Sequence, residues 1–151
     1  MTAISTAVLA QRGGTHVYTT SQLHTMAQKL EQRKSLATTG AAGETLEKYP
    51  GHFTMLTVRN QSGGAELHEH YADIFFVVDG EATLTTGGTI LDRKNVGPGE
   101  VRGKSIEGGV KRHLAKGDVV HISPNTPHQL TVAKGKSFTY FVVKVHEQGK
   151  G

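Results

Sequence analysis

The sequence predicts an all-β domain, a sandwich or a barrel, on three observations. Glycine is frequent, with 19 among 151 residues. Patterns of helical period are scarce. From residue 52 onward, short stretches of alternating apolar and polar residues recur at intervals of roughly 8 to 12 residues, as short strands joined by turns do. A chain of this length is one domain by the usual expectation.

The composition narrows the functional classes. Cysteine is absent, which excludes disulfides, thiolate metal sites and cysteine nucleophiles. The net charge of +4 is modest and no basic stripe interleaved with aromatic residues occurs. We therefore predict no nucleic-acid partner, while a small-molecule substrate, including an anionic one, is compatible with this charge. No apolar run approaches the roughly 18 residues of a membrane span, so no membrane partner is predicted.

The beginning of the chain is predicted to be an arm and then a helix. Residues 1–19 form the predicted arm, in which residues 16–20 could be an edge strand. Its "VLA" resembles the tail of a trimmed signal peptide, but a basic leading segment is missing. We predict a cytoplasmic protein, or a periplasmic or secreted one if a signal peptide was trimmed. A helix is predicted over residues 20–36.

The predicted helix packs on a barrel. Thr20 or Ser21 is expected to cap the helix, and one apolar face is predicted to comprise Leu23, Met26, Ala27 and Leu30. Glycines and Pro50 break the pattern over residues 37–51. We therefore expect residues 1–50 to pack as arm and helix on a β-barrel of residues 51–147, in one structural domain overall.

Alternation predicts the remaining elements in order. The predicted strands cover residues 52–59, 65–70, 73–78, 82–86, 110–114, 119–123, 128–132 and 137–145. Asp79–Glu81 has the composition of a tight hairpin turn. Residues 91–109 are a long glycine-rich excursion, and the region 91–116 carries seven basic and three acidic residues. This basic loop is interpreted as either a functional loop or a solvated flap.

The first chemical pattern is "AELHEHYAD", residues 65–73. Alternate side chains of a strand share one face, so Glu66, His68 and His70 are predicted to point the same way. Two imidazoles at that spacing can bind one metal ion. The apolar run after Asp73 predicts that these residues lead into a buried strand.

The second pattern is "GDVVHISPNTPHQL", residues 117–130. Pro124 and Pro127 restrict the backbone at two points and make a rigid corner. His128 opens the next predicted strand directly after this corner. Such a corner can hold a ligating side chain at the rim of a barrel.

Together the two stretches resemble the paired motifs of the cupin superfamily, written G(x)5HxH(x)3–4E(x)6G and G(x)5PxG(x)2H(x)3N. The first is matched by Gly63, His68, His70, Asp73 and Gly80, and the second by Gly117, Pro124, Pro127 and His128. The resemblance covers about residues 52–145. Gly63 lies one position too close to His68, and Asp73 stands for glutamate after only two residues. Ser123, Asn125 and Val132 replace the usual proline, glycine and asparagine.

The resemblance implies a single cupin barrel, a double-stranded β-helix or jelly roll, with an N-terminal arm and a short helix. It implies His68, His70 and His128 as ligands of one divalent transition metal ion: Fe, Mn, Ni, Cu or Zn. Asp73 is either a fourth ligand or a hydrogen-bond partner of a ligating imidazole. Glu66 is a substitute ligand or general base, and we predict Glu66 and Tyr71 as catalytic proton-transfer residues.

The predicted function is that of a metal-dependent small-molecule enzyme of the oxygenase, isomerase or lyase type, with its substrate inside the barrel. The alternative is a non-catalytic cupin that binds or senses a small molecule and holds a structural metal. Arg59 and Tyr71 are candidates for substrate contact, and His113 and His121 could reach the pocket. By resemblance, a homodimer formed through an edge strand or the arm is expected.

Overall fold

The computed structural model describes residues 14–147. Within them the chain forms two helices and twelve strands. The helices are α1 (Thr20–Glu31) and α2 (Lys34–Thr39). The strands are β1 (Ala41–Lys48), β2 (His52–Arg59), β3 (Ala65–His68), β4 (Tyr71–Thr86), β5 (Thr89–Leu91), β6 (Lys94–Gly97), β7 (Glu100–Gly103), β8 (Ser105–Glu107), β9 (Val110–Ala115), β10 (Val119–Ile122), β11 (His128–Thr131) and β12 (Phe138–His146). The prediction of a mainly β chain with a short helix is confirmed.

Ten of the strands form one curled antiparallel sheet in the order β1-β2-β12-β4-β11-β3-β7-β6, with β9 and β10 also paired to β4, and β5 pairs with β8 in a separate two-stranded sheet. Strand β4 organises this sheet because it has 16 residues and two sets of partners. Its first half pairs with β12 and β10, and its second half pairs with β9 and β11. One strand thus joins the two halves of the barrel.

The hairpin turn predicted at Asp79–Glu81 is wrong, because β4 runs through this segment without reversing. Gly80 has φ 77°, a conformation that glycine adopts readily. A Cβ atom there would overlap the carbonyl oxygen of Ser137. The register to β12 shifts between Thr139 and Tyr140. The glycine of the predicted turn therefore marks an irregularity at which β4 passes from one half of the sheet to the other.

The N-terminal part differs from prediction in three ways. Residues 16–20 form no edge strand: residues 14–19 are irregular and Thr20 begins α1. The cap is Thr19 rather than Thr20 or Ser21, in a capping box with Gln22, the arrangement that satisfies free N–H groups of a helix start. The single predicted helix is two helices.

No helix among residues 14–147 is long and apolar enough to cross a membrane.

Strand β1 lies in the stretch that was predicted to be a break. It pairs with β2 in an antiparallel hairpin and is at the edge of the sheet. Most of its residues are exposed or half-buried, so no apolar alternation marks it in the sequence. The predicted boundary near residue 51 falls in the turn between these two strands.

The core has three parts. Side chains of β4, β11 and β12, with Leu114 and Ile122, fill the barrel interior. A second cluster joins the helices to the outer face of the sheet, and the predicted helix face lies in it: Leu23, Met26, Ala27 and Leu30 pack with Leu56, Val58 and Val78. The third cluster joins β3 to the excursion.

The basic excursion of residues 91–109 is not a loop. It forms β6, β7 and β8, with Leu91 ending β5. Strand β7 pairs with β3, which sets Glu100 opposite His68. Short strands with many charged and glycine residues give little apolar alternation, so this order was not visible in the sequence.

Candidate metal centre

Four side chains from three strands converge inside the barrel: Glu66 and His68 of β3, Asp73 of β4 and His128 of β11. The two histidines and the aspartate are buried, and Glu66 is partly buried. Glu66 and His68 share a face of β3 because they are two residues apart. Strand β11 pairs with β3 at His128 and Glu66, which brings the second imidazole to the same place.

Hydrogen bonds fix the orientation of both imidazoles. Nδ1 of His68 lies 2.5 Å from a carboxylate oxygen of Glu100, and Nδ1 of His128 lies 2.9 Å from the carbonyl oxygen of Thr126. Each Nδ1–H can donate to its oxygen, which leaves the Nε2 lone pair for the cluster. Histidines that ligate metals are held in this way.

The distances within the cluster fit a metal ion. Nε2 of His68 lies 3.3 Å from Oδ2 of Asp73 and 3.6 Å from Oε2 of Glu66. Nε2 of His128 lies 3.6 Å from each of the same two oxygens. Neighbouring ligand atoms around a metal with bonds of about 2.1 Å are roughly 3.0 to 3.4 Å apart, so a small contraction suffices.

Two buried atoms of the cluster have no hydrogen-bond partner among residues 14–147: Oδ1 of Asp73, which forms an ion pair with Lys144 at 2.9 Å, and Nε2 of His128. Burying a polar group in this way costs free energy unless something compensates for it. Potential ligand atoms of Glu66, His68 and His128 all lie within 4.8 Å of one another. The donor set of imidazole and carboxylate therefore fits a divalent transition metal ion.

Lys144 of β12 reaches the same cluster, although no pattern in the sequence singled it out. Its Nζ lies 2.9 Å from Oδ1 of Asp73 and 3.0 Å from Nε2 of His68. Arg102 of β7 binds Oε1 of Glu66, which leaves Oε2 facing both histidines. Each of the two cluster carboxylates thus has one basic partner.

Burial and neighbouring charges set the protonation of the cluster. Burial lowers the pKa of His128 to about 4, so this imidazole is neutral at pH 7. Burial alone would raise the pKa of Asp73, but its contact with His68 and the charge of Lys144 outweigh it and lower that pKa. Burial lowers the pKa of His68, but Asp73 and Glu100 raise it more. Asp73 is therefore ionised, as a ligand must be.

The structure does not bring His70 into the cluster. The prediction that it shares a strand face with His68 is wrong, because β3 ends at His68 and residues 69–70 form a bend. The His70 side chain is 53 % exposed, and its ring lies 6.4 Å from that of His146. Alternation holds only as long as the strand continues.

The converging residues satisfy the family spacing in a different register. Glu66, His68, Asp73 and Gly80 follow the order and gaps of HxH(x)3–4E(x)6G, with four residues between His68 and Asp73. Glu66 then stands where the family has its first histidine, and Asp73 where it has glutamate. Matching the pattern to the two histidines, His68 and His70, missed this register. The spacing itself was the signal that could have found it.

Tyr71 lies at the border of a second feature, a cavity of about 540 Å³. Its ring packs edge-on against Phe53 and His146, with centroids 5.8 and 5.1 Å away. Tyr71 precedes Asp73 by two residues, and His146 follows Lys144 by two, so each pair is on one face of its strand. Two residues that line the cavity are therefore on the same face of the sheet as the cluster. Lys48, Tyr49 and His52 also line it.

Three other predicted residues are not among the four converging side chains. Arg59 donates a hydrogen bond to the hydroxyl of Tyr140 at 3.3 Å. His113 is exposed and faces Glu81 at 3.4 Å, and His121 is also exposed. The prediction that His113 and His121 could reach the pocket is wrong, because their side chains are on the outside of the sheet.

Comparison with known proteins shows the fold rather than a close relative. No protein-family model and no curated protein matches the sequence. An uncharacterized conserved protein with a double-stranded β-helix domain from Klebsiella pneumoniae is similar in structure over 91 % of this chain and 95 % of its own, with TM-score 0.58 and 13 % identity.

Two further solved structures share this architecture. The cupin domain of Cnp3 from Schizosaccharomyces pombe matches 71 % of this chain and 65 % of its own, with TM-score 0.54 and 8 % identity. The DMSP lyase DddQ from Ruegeria pomeroyi matches 80 % of this chain, with TM-score 0.54 and 15 % identity. This chain spans about half of that lyase, 54 %. These likenesses show that the chain has a double-stranded β-helix fold, the fold that the cupin domain of Cnp3 also has.

Proposed function

We propose that the protein is a metal-dependent enzyme acting on a small molecule, with one divalent transition metal ion held by Glu66, His68, Asp73 and His128. The observation that carries this proposal is the convergence of two oriented Nε2 atoms on two carboxylates, with Nε2 of His128 buried and unpartnered among residues 14–147. An oxygenase, isomerase or lyase reaction is proposed. That a lyase is among the proteins of similar fold supports an enzymatic role by analogy only.

The metal ion and the residues that hold its ligands would have different roles in such a site. A metal ion bound there would polarise a substrate oxygen or acidify bound water. The chain holds its ligands ready: Glu100 and Thr126 keep both Nε2 atoms turned inward, and Arg102 orients Glu66. Ligands held in this way need little rearrangement to bind.

The cavity beside Tyr71 is the proposed substrate site. Aromatic rings of Tyr49, Phe53 and Tyr71 with the imidazole of His146 suit a flat organic molecule, and Lys48 suits an anionic group on it. Tyr71 is proposed to exchange a proton with the bound substrate through its phenol. Glu66, which the sequence also suggested as a base, is assigned to the ligand set because both histidines lie 3.6 Å from its Oε2.

The first test is metal binding. We expect the purified protein to contain close to one transition metal ion per chain, and the chelator-stripped protein to take up Zn²⁺ or Mn²⁺ in a calorimetric titration. His128→Ala should weaken that uptake at least 100-fold. The matched control is His113→Ala, on the outside of the sheet, which should bind as the wild type does. Failure of the stripped wild type to bind either ion would refute the proposal.

The second test separates an enzyme from a binding protein. Tyr71→Phe removes only the phenol hydroxyl. With a substrate found by screening the metal-loaded protein, we expect a lower kcat while the Zn²⁺ affinity stays unchanged. If metal binds, a small molecule binds in the cavity and no turnover occurs, the protein is instead a non-catalytic binding or sensing cupin.

A further inference from the structure

We infer that the ammonium group of Lys144 occupies the cluster when no metal ion is bound. Metal binding must then displace this group from His68. Nζ of Lys144 lies within hydrogen-bond distance of both Nε2 of His68, at 3.0 Å, and Oδ1 of Asp73, at 2.9 Å. The inference rests on the proposed function, because it concerns how the same four ligands meet a metal ion.

The fold gives Lys144 this position. Strand β12 lies between β2 and β4, and Lys144 pairs with Phe53 on one side and Asp73 on the other. Tyr140 and Val142 precede it at alternate positions and are buried in the barrel interior. Lys144 continues this inward face, and its side chain is only 17 % exposed.

The competition arises from the lone pair of one nitrogen. Nδ1 of His68 is directed at Glu100, so Nε2 offers the acceptor lone pair of the ring. That lone pair can accept a hydrogen bond from Lys144 or bind a metal ion, but not both. The contact of Lys144 with Oδ1 of Asp73 can persist, because it is the other oxygen, Oδ2, that lies 3.3 Å from His68.

Charge acts in the same direction. Glu66 and Asp73 contribute two negative charges to the cluster and Lys144 cancels one of them. A divalent ion entering beside the ammonium group meets like charge at a few ångströms in a poorly solvated site, where such repulsion is strong. Without Lys144 the cluster would be one unit more negative and would attract the ion more.

The test is the affinity for Zn²⁺ of chelator-stripped wild-type protein and Lys144→Met, measured in competition with a chromophoric chelator. Met fills similar space without charge or a hydrogen-bond donor. We expect Lys144→Met to bind Zn²⁺ at least tenfold more tightly and to melt at a lower temperature when metal-free. Lys144→Gln, which can still hydrogen-bond Asp73, should also bind Zn²⁺ more tightly than the wild type. This variant tests the inference even if Lys144→Met does not fold. Lys111→Met, exposed on β9, is the control.

The outcomes distinguish this inference from the proposed function. If both Lys144 variants bind Zn²⁺ no more tightly than the wild type, the inference is overturned while the metal site stands. If the variants bind Zn²⁺ through His128 and the wild type does not, Lys144 occupies the cluster and the proposed metal enzyme is wrong. If no folded form binds Zn²⁺, both are overturned.

Discussion

Glu100 is the residue that most directly controls a ligand without belonging to the cluster. It faces His68 across the β3–β7 pair, and its carboxylate lies 2.5 Å from Nδ1 of that imidazole. A carboxylate in this position fixes the ring and raises its basicity as a ligand. Glu100 was not predicted from the sequence because its segment has the composition of a loop.

Glu100→Gln should therefore weaken metal binding without disturbing the fold. The amide keeps the shape of the side chain but loses the charge, and the loss of such a partner typically costs about 10- to 100-fold in metal affinity. A Zn²⁺ titration measures the effect. Glu107→Gln, exposed at the end of β8, is the control. Equal affinities in the two variants would mean that Glu100 does not support His68.

His128 makes the stability of the metal-free protein depend on pH. Its pKa is lowered to about 4 in the folded state, whereas an unfolded histidine has a pKa of about 6.5. Between these values the unfolded chain binds a proton that the folded chain does not. The free energy of unfolding should therefore fall as the pH falls from about 6.5 to about 4, by about 3 kcal/mol in all.

Urea denaturation between pH 7 and pH 4, with a chelator present, measures this loss, and His128→Gln should lack it. The raised pKa of His68 acts in the opposite sense, since it adds stability at low pH that is lost as the pH rises through that pKa. The wild type and His128→Gln have the same charged and titratable groups around position 128: Glu66, His68, Asp73 and Lys144. The difference between their unfolding free energies at each pH therefore reports on His128. Parallel pH profiles would contradict the prediction.

At the scale of elements, β4 depends on one glycine. Gly80 combines φ 77° with a site where a Cβ would meet the carbonyl oxygen of Ser137. Gly87 has the same φ of 77°, but nothing lies within 4 Å of the corresponding position. Comparing substitutions at Gly80 and Gly87 therefore distinguishes the cost of backbone strain, which both share, from the cost of steric overlap, which only Gly80 has.

Gly80→Ala should destabilise the protein by more than about 3 kcal/mol, and Gly87→Ala by only about 1 kcal/mol. The second figure is the cost of a left-handed backbone for a residue with a Cβ. The first adds the displacement of β12 from β4. Chemical denaturation gives both values. Similar losses in the two variants would show that the approach of Ser137 can relax.

Helix α1 contributes stability but not chemistry. Leu30 is 1 % exposed and packs with residues of the outer sheet face, while the cluster lies on the inner face. Leu30→Ala should cost about 2 to 5 kcal/mol of unfolding free energy, the usual range for a buried leucine. Zn²⁺ affinity should not change. The control is Lys29→Ala, exposed on the same helix, which should leave the free energy of unfolding nearly unchanged. A lower Zn²⁺ affinity in Leu30→Ala would contradict the prediction that the helix does not affect the site.

For the whole molecule, the sequence predicted the barrel better than its connections. Alternating strands such as β2 and β12 are visible because one face is buried and the other is not. Strand β1 at the sheet edge and β6 to β8 in the excursion lack this contrast. Asp79-Gly80 suggested a turn, because composition does not distinguish a reversal from a strand that bends.

The site was predicted in part for a similar reason. Glu66, His68, Asp73 and His128 were all named from the sequence, and they converge. His70 was included because the end of β3 was invisible. Lys144 and Glu100 were missed because their roles depend on which strands are neighbours, and pairings between strands distant in sequence are not encoded in local pattern.

The pairing of β12 has a consequence for the order in which the molecule forms. This strand lies between β2 and β4, yet seven strands separate it from β4 along the chain. Until residues 138–146 have been synthesised, the facing edges of β2 and β4 have no partner and expose backbone groups that favour association with other chains. Contacts between such distant segments also form slowly. The nascent protein is therefore expected to depend on chaperones that shield these two edges until β12 arrives.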